Sequence, residues 1–121
     1  MLSQFPDFKD VDLSCKDVFN DFAGSHPLEA SEYSFTNIFA FRKTYDFRLS
    51  MLQNNLIILR GAEPVSVFSP VGSSNMLNIF GDIFTYLRGY AEHPYMERVP
   101  ESFIESYLKD NDHFIIEEQR D

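Results

Sequence analysis

The segment FRLSMLQNNLIIL, residues 47–59, contains two apolar runs separated by a short polar interruption. In the first run Phe47, Leu49 and Met51 alternate with their neighbours, which is the period-two pattern of a β-strand. Gln53, Asn54 and Asn55 then predict a turn, because asparagine tolerates left-handed dihedral angles. The run LIIL, residues 56–59, then predicts the return strand of an antiparallel hairpin.

The residues after this hairpin predict that it grows into a mixed sheet. VSVF, residues 65–68, predicts a third strand of the meander, and a stripe of apolar residues at steps of three and four predicts a helix over residues 76–90. A further strand, helix and strand are predicted over residues 95–99, 100–108 and 113–119.

The residues before the hairpin predict a strand and two helices. Residues 8–12 read as the first strand, and Ser14 is the expected N-cap of the helix that follows. A second helix is expected to open near Ser31 or Ser34. The complete order is β-α-α-β-β-β-α-β-α-β, which is an α+β (mixed α/β) domain with a mixed, largely antiparallel sheet flanked by helices.

This second helix has an unusually wide aromatic face. The apolar residues recur at helical spacing and cover more than one narrow stripe, so they either form core or leave a patch for a neighbouring domain. We predict a domain interface that consists of Tyr33, Phe35, Ile38, Phe39, Phe41 and Tyr45.

Length and charge restrict the functions of the chain. Its 121 residues fit one domain, and its 13 Phe side chains can supply an adequate core because each contributes about 1.5–3 kcal/mol on burial. The net charge of −9 repels phosphate backbones, so we expect no direct binding of nucleic acid and no docking to anionic lipid. The single cysteine, Cys15, and the absence of a leader-like or membrane-spanning segment predict a cytoplasmic protein.

The sequence contains few groups arranged for chemistry. His26, His93 and His113 are dispersed, and none has a partner at a metal-ligand spacing, so no metal site is expected. The loop PVGSSN, residues 70–75, runs from a predicted strand into a helix N-terminus, where backbone N–H groups attract anions. It is either a plain β–α turn capped by Ser74 or a cofactor-binding loop formed by Val71, Gly72, Ser73, Ser74 and Asn75.

Four stretches also resemble, in order, the motifs of one bacterial family. SEYSFTNIFAFRKTY, FSPVG, RVPESFIESYL and FIIEEQRD are similar to segments of proteins related to the C-terminal domain of phosphatidylglycerol lysyltransferase. Members of that family look like two GNAT-like (acyltransferase-fold) domains in tandem. The resemblance implies that residues 1–121 are a single GNAT-like domain, the N-terminal half of such a pair or a single-domain product.

The resemblance also implies a function for this half. The related enzymes move aminoacyl or acyl groups, with aminoacyl-tRNA or acyl-coenzyme A as the donor of the full protein. The donor loop of that fold carries an Arg/Gln-x-x-Gly-x-Gly/Ala pattern, whereas this chain has SPVGSSN. We therefore expect a non-catalytic or accessory half without a cofactor, which pairs with a second GNAT-like domain or self-associates. The alternatives are a stand-alone acyl-coenzyme A-dependent acyltransferase and a module for domain pairing.

Overall fold

The structure is a computed structural model that describes residues 3–25, 34–63, 65–68, 70–72, 76–89, 94–97 and 99. Within these ranges the elements follow the order β-α-α-β-β-β-α-β, as predicted. The predicted last helix and last strand, residues 100–108 and 113–119, lie outside the described residues. The elements are β1 (Lys9–Asp10), a 3-10 turn (Leu13–Cys15), α1 (Lys16–Ser25), α2 (Phe35–Ala40), β2 (Phe47–Leu52), β3 (Asn55–Arg60), β4 (Ser66–Phe68), α3 (Met76–Leu87) and β5 (Met96–Glu97).

The strands of the described part of the chain form a five-stranded sheet in the order β1-β2-β3-β4-β5. The first three pairings are antiparallel, and β5 pairs with β4 in parallel. A parallel neighbour needs a crossover connection, which here contains α3. The prediction of a mixed, largely antiparallel sheet with helices is therefore confirmed.

The predicted hairpin of β2 and β3 forms, but its turn is one residue shorter than expected, because Asn55 already pairs with Leu52. Phe47 lies opposite Arg60, and Leu52 lies opposite Asn55. The two residues between the strands, Gln53 and Asn54, both have positive φ angles of 48° and 63°. Two central residues with positive φ give the turn whose twist matches that of the flanking strands.

Both faces of β3 are buried, because helices cover the sheet on both sides. Leu56 and Ile58 belong to a cluster that includes residues of α1 and α2, whereas Ile57 and Leu59 belong to a cluster that includes residues of α3. A strand covered on both faces reads as a continuous apolar run rather than as an alternation. The run of residues 56–59 is therefore the central strand of the domain. Of the helices described, none is long and apolar enough to cross a membrane.

The start of the first helical segment differs from its predicted position. Asp12, and not Ser14, is the N-cap, and its Oδ1 accepts a hydrogen bond of 2.9 Å from the Ser14 N–H. The Ser14 hydroxyl donates to the same carboxylate. Ser14 therefore lies inside a 3-10 turn that leads directly into α1, because an aspartate two residues earlier caps it.

This cap makes stability depend on pH. The Ser14 hydroxyl, with Lys9 3.3 Å from Oδ2, lowers the pKa of Asp12 from 3.8 to about 2. Because the pKa is lower in the folded chain, Asp12 stabilises the fold above about pH 4, and this stabilisation disappears as the pH falls towards about 2. We expect the thermal unfolding midpoint of Asp12→Asn, followed by circular dichroism, to be below wild type at about pH 7 and to converge with it near pH 2.

The exposed Asp21 in α1 provides the control, and Asp21→Asn should not reproduce this convergence. A gap between wild type and Asp12→Asn that stays constant over the whole pH range would contradict the assignment of the cap.

Candidate functional site

The loop after β4 is fastened to the central strand by its backbone. The Val71 N–H donates to the Leu56 carbonyl and the Leu56 N–H donates to the Val71 carbonyl, both at 2.9 Å. Val71 is buried in the cluster on the α1–α2 side. Pro70, the residue before it, has no N–H to donate. In the described part of the loop, residues 70–72, no backbone N–H is thus free before Gly72. We call residues 70–72 the closed loop.

Gly72 is required by its contact with the hairpin turn. Its φ is +154°, and a Cβ at this position would overlap the Oδ1 of Asn55. Asn55 is itself fixed, because its Nδ2 donates to the carbonyls of Leu52 and Gln53 at 3.2 and 2.9 Å. The glycine therefore lets the loop pack against the turn of the hairpin. Ser73, Ser74 and Asn75 lie outside the described residues, and the cofactor role of residues 71–75 stays a prediction.

The aromatic helix begins at one of the two predicted positions and ends earlier than expected. Ser34 is the N-cap of α2, and its Oγ accepts from the Asn37 N–H at 3.2 Å. The helix ends at Ala40, and Tyr45 lies in a series of turns rather than in the helix. These turns keep the rings close together, since the Tyr45 N–H donates to the Phe41 carbonyl at 3.0 Å.

Most of the predicted domain-interface residues pack into the chain's own core. Phe35 and Ile38 are buried, and Phe39 and Tyr45 pack against the same cluster. Phe41 differs, because 48% of its surface is exposed. Tyr33 lies outside the described residues. The predicted interface is thus untested, and among the residues described Phe41 is its exposed member.

A continuous row of rings leads from Phe41 into the sheet. The ring centroids of Phe41 and Tyr45 lie 5.9 Å apart, those of Tyr45 and Phe47 5.6 Å, and those of Phe47 and Phe68 5.5 Å. Contacts at these distances add to the stability from burial. The row connects the surface beside α2 to β4.

Three polar side chains lie side by side on β3, β4 and β5, close to this row. The register places Arg60 opposite Ser66, and the Ser66 Oγ donates a hydrogen bond of 2.6 Å to Glu97 Oε2. Ser66 is fully buried, and Arg60 and Glu97 are partly buried. We call these three residues the polar row. They share the face of the sheet that carries the α1–α2 cluster.

Arg60 is the unusual member of the polar row. Its guanidinium carbon lies 4.9 Å from the centroid of the Tyr45 ring. Its Nε–H is buried and has no hydrogen-bond acceptor among the described residues. No described carboxylate lies within 4.0 Å of it, since the ion pairs found involve Lys9 and Arg48.

Sequence reasoning missed the polar row, although part of the signal was present. In a strand, every second residue faces the same side, so Arg60 continues the face of Leu56 and Ile58. The sequence LIILR therefore indicates a charged residue on the buried face of the strand. It does not indicate the neighbours of that residue, because Ser66 and Glu97 come next to each other only through the pairing of β4 with β5.

Other candidate groups remain dispersed. The described residues contain no cluster of three or more His, Cys, Asp or Glu that could hold a metal ion. Cys15 is buried, with its Sγ 3.7 Å from Asp12 Oδ1 and 4.0 Å from the Asp10 carbonyl. The three histidines named above lie outside the described residues.

Gly72 and Gly81 form a matched pair that tests the packing of the loop. We expect Gly72→Ala to lower the free energy of unfolding by about 2–3 kcal/mol, because of overlap and backbone strain. Gly81 lies in α3 with nothing within 4 Å of an added Cβ. Gly81→Ala should therefore raise the free energy of unfolding by about 1 kcal/mol.

Urea unfolding followed by circular dichroism measures both variants. Equal stability of Gly72→Ala and wild type would show that the loop does not pack tightly against Asn55.

The chain was compared with known proteins at three levels. No protein-family model, no curated protein and no solved structure matches it. The family resemblance of the sequence motifs therefore stays a prediction, and the observations that bear on function are the closed loop at Val71, the exposed Phe41 and the polar row.

Proposed function

We propose that this chain is a GNAT-like, non-catalytic or accessory half of an acyl- or aminoacyl-transferase. The order of the described elements supports this proposal, as does the parallel pairing of β5 with β4 after the crossover through α3. The observation that carries the accessory role is the closed loop after β4. A cytoplasmic location is part of the same proposal and accords with the single, buried Cys15.

The closed loop is a poor starting point for a donor site. A pyrophosphate needs several backbone N–H groups that converge on it at a helix N-terminus. The Val71 N–H donates to the Leu56 carbonyl, and Gly72 packs against Asn55. No Arg or Lys lies between Arg60 and Arg88 to add a charge-assisted contact. The local geometry thus favours a half that does not bind the donor.

The stand-alone acyl-coenzyme A-dependent enzyme is the first alternative. It requires donor contacts from Gly72 and residues 73–75, with the negative charge of the chain opposing a polyanion. The second alternative is a pairing module, and the exposed Phe41 beside Tyr45 favours it. Pairing is also compatible with the accessory role, since an accessory half must contact its catalytic partner.

Titration calorimetry with acetyl-coenzyme A tests the accessory role. We expect a dissociation constant on the order of millimolar, worth about 4 kcal/mol, because the Val71 N–H is bonded to Leu56 and no Arg or Lys lies between Arg60 and Arg88. ATP is the control for non-specific polyanion binding and should bind as weakly. A low-micromolar dissociation constant for acetyl-coenzyme A, without comparable affinity for ATP, would make the stand-alone enzyme the preferred function.

Sedimentation velocity tests the pairing surface. If the face beside α2 pairs, the chain should self-associate at high concentration, and Phe41→Ser should shift it towards monomer because an exposed ring is lost. Leu13 is 67% exposed on another element and is the matched control, so Leu13→Ser should leave the association unchanged. A strictly monomeric wild type, or equal effects of both substitutions, would count against this surface.

A further inference from the structure

We propose that the polar row of Arg60, Ser66 and Glu97 binds a small zwitterion, in which a carboxylate and an ammonium group are separated by a chain of methylenes. This site does not depend on the proposed function, since it uses neither the loop after β4 nor the surface at Phe41. The register of the sheet positions it, with Arg60 opposite Ser66 and Ser66 hydrogen-bonded to Glu97 at 2.6 Å.

Arg60 binds the carboxylate of the ligand in this proposal. A guanidinium has five N–H donors and cannot lose its charge in a protein. Leaving a buried donor unpaired is unfavourable, and the buried Nε–H of Arg60 has no acceptor in the described part of the chain. The Tyr45 ring supports the cation from 4.9 Å but offers no oxygen in the guanidinium plane. A carboxylate can supply two parallel acceptors.

Glu97 binds the ammonium group of the ligand. Ser66 donates to one of its carboxylate oxygens and thereby fixes the side chain, while the other oxygen keeps its capacity to accept. No described Lys or Arg lies within 4.0 Å of Glu97. A carboxylate at this position repels phosphates and simple dicarboxylates, so it selects a ligand with a positive group.

The separation of the two charges determines the length of the ligand. Arg60 and Glu97 stand two strands apart, which is about 10 Å at the backbone. The guanidinium also lies towards Tyr45, which precedes β2, and therefore away from β5. Arg60 and Glu97 consequently form no direct ion pair within 4.0 Å. A ligand that contacts both must be longer than an α-amino acid backbone.

The experiment is a titration of the 121-residue chain by 15N-resolved NMR, with the Arg60 Nε–H resonance as the direct reporter. The probes are glycine, 4-aminobutyrate and 6-aminohexanoate, with butyrate and butylamine as ligands that carry only one of the two charges. We expect a saturable shift of the Arg60 Nε–H with 4-aminobutyrate or 6-aminohexanoate and a dissociation constant on the order of 1 mM or below. Glycine and the singly charged ligands should bind at least about tenfold more weakly.

Substitutions distinguish a site from a non-specific charge effect. Arg60→Gln and Glu97→Gln should each weaken binding about tenfold or more. Arg42 is the matched control, since its guanidinium also lies over a ring, 3.8 Å from the Phe39 centroid, but donates to the Phe39 carbonyl at 2.7 Å. Arg42→Gln should leave the dissociation constant within about twofold of wild type.

The wild-type spectra decide the question even if Arg60→Gln does not fold. No shift of the Arg60 Nε–H with any probe would overturn the proposal. Equal affinity for butyrate and 6-aminohexanoate would overturn the role of Glu97, and equal affinity for glycine and 6-aminohexanoate would overturn the bridging geometry.

Discussion

The burial of β3 on both faces is the constraint on which the rest of the domain depends. Its four central side chains, Leu56, Ile57, Ile58 and Leu59, are at most 3% exposed and point alternately into the two apolar clusters. A strand of this kind must have neighbours on both edges and helices on both faces, because its backbone and side chains have no access to water. The hairpin provides β2 on one edge, β4 pairs with the other, and the bridge to Val71 ties the following loop to the same strand.

Local patterns predicted the elements well where a single physical signal dominates. Alternation and the polar residues 53–55 predicted the hairpin, although Asn55 belongs to β3. Ser34 was one of the two expected starts of α2. The end of α2 was not predictable from the spacing of apolar residues. Phe41 and Tyr45 are four residues apart, and the successive turns after Ala40 hold their rings in contact as a helix would. The series ends at Asp46, whose positive φ of 51° redirects the chain into β2. The N-cap before α1 was predicted at the wrong residue, because Asp12 and Ser14 are both good N-caps and Asp12, the earlier one, caps the 3-10 turn.

The polar row required information that a linear pattern does not contain. Arg60 ends β3, and Ser66 and Glu97 belong to strands separated by α3. The sequence permits a prediction that β4 and a later strand exist, but not that they pair in parallel or in which register. A shift of one residue in that pairing would move Glu97 to the opposite face and separate it from Ser66. By contrast, the cofactor loop was proposed from a local motif, and its described residues are engaged in backbone pairing and packing.

Position, rather than a shortage of acids, explains why Arg60 has no carboxylate within 4.0 Å among the described residues. The chain has 19 acidic residues. Arg48 lies 2.7 Å from Asp46 and 3.6 Å from Asp10, and the hydrogen bond to Asp46 is the main cause of its raised pKa. Arg42 reaches a backbone carbonyl. Arg60 instead lies at the end of β3, on the face where Leu56 and Ile58 are buried, and its cross-strand neighbours are Phe47 and Ser66. Among the described residues, its guanidinium therefore contacts only the Tyr45 ring. An apolar residue there would continue the core without a desolvation cost. The stability of the sheet therefore gives no reason for an arginine in that place, and its position accords with the zwitterion site that we propose.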